Sequence, residues 1–133
     1  MQLYEIYNLT RDIPVAHRVR LAATSAERRR GLLGVTKLDK EEGLWIRPCE
    51  AVHTFGMKIP IDIIFLDREY RVRKIQREVG PNRIAFCLLA SSVLELAAGS
   101  SASAGTEVND WLAFLPEPRR DASLQSCHAT SIA

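Results

Sequence analysis

Four side chains able to do chemistry fall within ten residues: Cys49, His53, Met57 and Lys58. They bring a thiol, an imidazole, a thioether and an ammonium to the stretch PCEAVHTFGMKIPIDIIFLD, residues 48–67. His53 is the one whose ordinary pKa lies near neutrality, so it can serve as acid, base or ligand. Asp62 interrupts an apolar strand pattern, and a carboxylate inside a sheet requires a partner. Lys58, His53 or a backbone turn are the partners within reach along the chain. Pro48 and Gly56 bracket an irregular segment, and irregular segments on a rigid scaffold are where binding residues concentrate.

Several chemistries fit these residue types. In the first, Lys58, His53 and an arginine from Arg28 or Arg30 hold an anionic or polyhydroxy small molecule. Charge-assisted hydrogen bonds are strong enough that few are needed. Trp45 or Phe55 would form an apolar wall, and Glu95 would reach the ligand from the far side or face solvent. The expected ligand set is therefore His53, Met57, Lys58, Asp62, Arg30 and Glu95. In the second, Cys49, His53 and Met57 bind copper or zinc, since thiolate, imidazole and thioether suit soft metals. Their four-residue spacing aligns ligands only on a helix, which Pro48 and Gly56 oppose, and no C-x-x-C pair is present. In the third, Cys49 or a serine works with His53 and Asp62 as a hydrolase. No G-x-S-x-G elbow supports it, and no other catalytic motif is recognisable. A fourth is a protein-interaction module that pairs through the edge of the charged RVRKIQR strand. The plain structural alternative has Asp62 and His53 pinning the loop while Met57 and Phe55 fill core.

The elements that must position these groups can be read from spacing. Residues 3–9, LYEIYNL, are rich in aromatic and branched strand formers. In VAHRVRLAA, Val15, His17, Val19 and Leu21 alternate with Arg18 and Arg20, the period of a half-buried strand. His17 therefore reads as a core or rim histidine. Thr24 and Glu27 form a T-x-x-E capping box, which opens a helix expected over residues 25–33 with Gly34 as its stop. Arg28, Arg29 and Arg30 spread over about three-quarters of a turn, and Leu32 and Leu33 should pack inward. GLWIR is a short strand that Pro48 ends. IDIIFLD is a central strand, DREY a hairpin tip and RVRKIQREV the returning arm. VLEL is a strand or a helix end, and DWLAFL a closing strand.

Strands outnumber helices and no βαβ alternation appears. The expectation is a small, mainly β (α+β) domain, an antiparallel sandwich or barrel with one or two short helices. One domain should span residues 1–115, with residues 116–133 a flexible tail.

Bulk properties narrow the function classes. The chain has 133 residues, 18 basic and 16 acidic, for a net charge of +2. So even a balance gives no electrostatic footprint for nucleic acid or membrane. No apolar run reaches the length of a membrane span, and the N-terminus lacks the pattern of a signal peptide. Three cysteines without tight spacing suggest free thiols, so a reducing cytoplasm is expected. No cofactor can be read from the residues.

The residues also carry a resemblance. RRRGLLG, EGLWI, PCEAVHTFGMKIPIDIIFLD, RVRKI, ASSVLELAAGS and EVNDWLAF stand in the order found in the family known as domain of unknown function 192. The chain resembles that family from about residue 21 to residue 114. The resemblance implies a compact, mainly β, sandwich-like fold and no established activity. Two departures stand out. Many family members look secreted or lipid-anchored, and this chain shows no such signal. Asn109-Asp110 also replaces the glycine-aspartate pair common near the family's C-terminal end.

Overall fold

In the computed structural model, which describes residues 2–118, seven strands form one curled sheet and two more form a small ribbon on its outer face. The main sheet runs in the order β6-β5-β8-β3-β2-β1-β9. Its strands are β1 (Leu3–Asn8), β2 (Ile13–Ala22), β3 (Glu42–Ile46), β5 (Ile61–Leu66), β6 (Val72–Val79), β8 (Ser92–Ala97) and β9 (Leu112–Pro116). The ribbon pairs β4 (Ala51–His53) with β7 (Ile84–Phe86). Pairing is antiparallel throughout, except that β2 and β3 run parallel. The mainly β fold with two short helices is as expected.

The sheet curls until its two ends meet. Arg71 bridges Trp111, and the Leu112 N–H donates to the Tyr70 carbonyl at 2.9 Å. Asn109, φ +79°, supplies the left-handed turn before this closure. All seven strands send buried side chains to the inner face, among them Ile6, Val19, Trp45, Ile64, Val72, Leu94 and Leu112. Trp45 stacks on Phe114 at 4.0 Å between ring centroids. It thus belongs to the core rather than to a ligand wall.

The outer face of the central strands is apolar too. Leu44, Ile46, Ile61, Ile63, Phe65 and Val93 form a second core, covered by Leu32, Met57 and Ala85. The cover comes from the loop after helix α1 (Ser25–Arg30), from the β4-β7 ribbon and from the segment that follows β4. Both halves of the Thr24–Glu27 capping box are present, with donor–acceptor distances of 3.0 and 3.1 Å. The helix ends at Gly31, φ +48°, earlier than the expected Gly34. That stop turns Leu32 inward but leaves Leu33 38% exposed, correcting the expectation that both are buried.

Asp62 sits at the end of the inner core. Its carboxylate accepts the N–H groups of Glu78, Gly99 and Ser101, and the Ser101 hydroxyl at 2.6 Å. These bonds tie β5 to β6 and to the start of the second helix, α2 (Ser100–Ser103). The backbone turn is therefore its partner, and neither Lys58 nor His53 is. At the other end of the chain, the Glu117 N–H donates to the Leu3 carbonyl at 2.8 Å, so pairing runs just past the expected end of the domain. The rest of the expected tail, from residue 119 on, lies outside the described residues.

Removing the Asp62 carboxylate strands three buried or half-buried backbone donors, each costing roughly 1–3 kcal/mol. Asp62→Ala should therefore lose about 3 kcal/mol or more in urea unfolding. A midpoint unchanged from the parent protein would show that the carboxylate holds nothing together.

Candidate functional site

A pocket of about 960 Å³ opens where the outer cover is incomplete, between α1 and β4. Arg28, Arg29 and Arg30 line one wall, residues 48–53 the other, and Met57, Ile46 and Glu95 the floor. Of the expected ligand residues, Arg30, His53, Met57 and Glu95 meet here. Lys58 and Asp62 are not among the lining residues. Lys58 is exposed. Asp62 pairs with Leu96 on β8, one position along from the Ile63–Glu95 pair, so Asp62 and Glu95 point to opposite faces of the sheet.

Glu95 is the unusual member. Strand alternation places it on the outer face, directly between Leu44 on β3 and Ile63 on β5. Only 3% of the residue is exposed, and its Oε2 has no hydrogen-bond partner among the described residues. No salt bridge reaches it among the described residues. Burial alone drives its carboxyl up to about 7, from an ordinary 4.5. Near neutrality it therefore exchanges readily between a hydrogen-bond donor and an acceptor, the condition suited to proton transfer or to binding a polar ligand group.

The other walls differ in chemistry. The Arg28 Nη1 donates to the Ala23 carbonyl at 3.1 Å, and the Arg29 Nε to the Ser25 carbonyl at 3.3 Å. The Arg30 carbonyl accepts the Leu33 N–H at 2.9 Å, but its guanidinium makes no hydrogen bond or ion pair among the described residues and stays available. His53 is exposed at the rim, stacked on Phe55 at 5.3 Å, and its Nδ1 accepts the Phe55 N–H at 3.3 Å. Phe55 is thus a rim neighbour of the histidine and not a lining residue. The Cys49 Sγ donates to the Ala51 carbonyl at 3.1 Å, and burial pushes the thiol up. A protonated thiol is a poor nucleophile and a poor metal ligand.

Cys49, His53 and Met57 all line the pocket, yet among the described residues no three of the His, Cys, Asp and Glu side chains are arranged to hold a metal ion. The Asp62 carboxylate, spent on the other face of the sheet, is not available to a Cys49–His53 hydrolase. Spacing offered Arg28 and Arg30 only as alternatives, and singled out neither Arg29 nor Cys49 for the anion site. Their convergence depends on how α1 lies against β4, which no local pattern encodes.

A curled β domain with a basic-walled pocket over a buried carboxyl is the class that fold and site define. The chain belongs to the family described as uncharacterised ACR, domain of unknown function 192, whose model matches residues 7–114. A protein of unknown function from Novosphingobium aromaticivorans DSM 12444 is similar in structure. The two are 28% identical with a TM-score of 0.75, and the match covers 84% of each chain. A candidate transcription regulator from Sinorhizobium meliloti 1021 shares the fold at 20% identity and a TM-score of 0.72, over 85% of this chain and 92% of its own. No curated protein matches. No helix among the described residues is long and apolar enough to cross a membrane.

Because the folded protein holds the Glu95 proton more tightly than the unfolded chain, the group's contribution to stability is complete below about pH 4.5 and lost as pH rises through about 7. The loss amounts to about 3 kcal/mol. Glu95→Gln should escape it, so the variant gains stability on its parent between pH 5 and pH 8 in denaturant titrations. A difference that stays constant across that range would mean the carboxyl is not held protonated by burial.

Proposed function

We propose that this protein binds a small anionic ligand in the pocket between α1 and β4. The ligand's negative group rests on the arginines of α1, and a hydroxyl or amide of the same ligand reaches Glu95. The observation that carries this reading is the Glu95 Oε2, buried without a partner on the floor of a pocket whose wall carries Arg28, Arg29 and Arg30. A buried polar atom left unsatisfied costs about 1–3 kcal/mol, and a ligand that pairs with it recovers that cost. A structural carboxyl such as Asp62 has its partners supplied by the chain; Glu95 has none among the described residues.

His53 at the rim and Met57 on the floor complete the contact surface. Lys58 and Asp62 take no direct part in this reading, and neither nucleic acid nor membrane does. We keep the reducing cytoplasm as its compartment. Soft-metal binding through Cys49, His53 and Met57 lacks a supporting observation, because the thiol stays protonated and bonded to Ala51. No reaction is assigned.

The test is an NMR titration with hydroxylated acids at millimolar concentration: gluconate, glucose 6-phosphate and 3-phosphoglycerate. At least one should shift the amide signals of residues 28–33 and 50–53. Affinity should fall about tenfold in Arg28→Ala and in Glu95→Gln, each lost charge-assisted bond being worth roughly 1.5–3 kcal/mol. His53→Ala should weaken binding less and leave unfolding within about 0.5 kcal/mol, as expected for an exposed side chain. Failure of all three acids to perturb the pocket would remove the small-anion reading.

A further inference from the structure

The wall formed by β4 is a strand edge. All three residues of β4, Ala51, Val52 and His53, line the pocket, as successive strand residues do when the strand presents its backbone side-on rather than one face. The ladder to β7 fixes which backbone groups point where. Cys87 donates to the Glu50 carbonyl at 2.9 Å and Thr54 to the Arg83 carbonyl at 2.8 Å. In an antiparallel pair, hydrogen-bonded positions alternate with positions whose groups face the other way. Glu50, Val52 and Thr54 are therefore spent on β7. Ala51 and His53 turn their N–H and C=O groups away from β7, which contributes no residue to the pocket lining. The Cys49 thiol takes the Ala51 carbonyl, whereas the N–H groups of Ala51 and His53 sit at positions the β7 ladder does not pair, and no bond from them to a group outside the strands occurs among the described residues.

A ladder of open donors on one wall, guanidinium groups on the other and a carboxyl beneath describe a slot for more than a simple anion. We infer that the ligand is an extended acidic peptide segment that adds to β4 as a third strand of the ribbon. The inference rests on reading the pocket as a ligand site, and names the ligand class. Backbone hydrogen bonds to Ala51 and His53 would supply affinity, as in other edge-strand recognition. Side chains of an extended strand alternate. Every second one reaches the floor, where a hydroxyl or amide meets Glu95, and those between lie beside the arginines, which favour carboxylates. Charge complementarity selects the occupant, because the edge of β4 is flanked by Arg28, Arg29 and Arg30 together. The edges of unpaired strands are the places where added strands pair, and this one lies inside a groove, shielded from casual association.

The probe is a fluorescein-labelled, end-blocked pentapeptide alternating glutamate and serine, followed by anisotropy with the full chain. Binding should be saturable and weaken with salt. A copy of the peptide N-methylated on alternate backbone amides should lose at least about tenfold in affinity. Ala51→Pro removes a donor that β7 does not use, so the ribbon should persist by circular dichroism while peptide binding falls by a similar factor. If that variant does not fold, the N-methylated peptide carries the comparison alone. Arg28→Ala should weaken the peptide as well. Equal affinity for plain and N-methylated peptides would overturn edge pairing. Hydroxylated acids binding where the peptide does not would overturn this inference and leave the small-anion reading intact. Loss of both would end both. Self-association through β4, seen as a dimer in size exclusion that Ala51→Pro abolishes, would replace the peptide with a second copy and overturn the inference.

Discussion

Strands β5 and β8 are buried along their whole length on both faces, and that double burial shapes everything around them. A sheet apolar on both sides must be covered twice. One cover comes from the sheet itself, which curls until β6 and β9 meet at Arg71 and Trp111 and encloses the Trp45 cluster. The other has to be assembled from what remains: the loop that trails a six-residue helix, the segment after β4 and a ribbon of two three-residue strands. Such short pieces have little surface with which to seal an outer face. Where they fail to meet, the sheet lies open, and the opening is the pocket.

Two carboxyls show how the two faces differ. Asp62 and Glu95 lie on neighbouring strands one register position apart, yet on opposite sides of the sheet. On the inner face Asp62 meets a turn and a helix start that supply it with donors. On the outer face Glu95 lies between Leu44 and Ile63 and over the pocket, where one of its oxygens finds no partner among the described residues and burial holds the proton to about pH 7. The first carboxyl strengthens the fold and the second weakens it above neutrality. A group that reduces stability while lining a cavity is the kind whose presence a ligand explains, since functional sites tolerate costs that core positions do not.

Much of the fold was legible before any coordinates. Capping-box residues Thr24 and Glu27 mark the start of α1, because a cap is a contact between residues three apart. The alternation in VAHRVRLAA and the apolar run IDIIFLD mark strands, because a strand's two faces repeat every second residue. Less was legible of the ribbon. β4 and β7 hold three residues each and show too little periodicity to register, so residues 48–56 read as irregular. The helix was expected to reach Gly34 but ends at Gly31, since either glycine can adopt a positive φ and the packing of Leu32 decides between them.

The candidate site divides along the same line. By itself the sequence determined which residue types were available, that His53, Met57 and Glu95 sit on or beside strands, and that an arginine cluster follows a helix start. Those are properties of composition and local spacing, and local spacing is all that a chain's pattern expresses directly. Only the tertiary structure decided that Arg30, His53, Met57 and Glu95 share a cavity while Lys58 and Asp62 stay outside it. It alone decided that β4 lines that cavity while its partner β7 does not. Those facts depend on pairings between residues about 50 positions apart, such as Leu44 with Glu95 across two strands, and on which face each pairing turns outward. A shift of one residue in that register would exchange the inner and the outer face of β8, and nothing local to Glu95 records which was chosen.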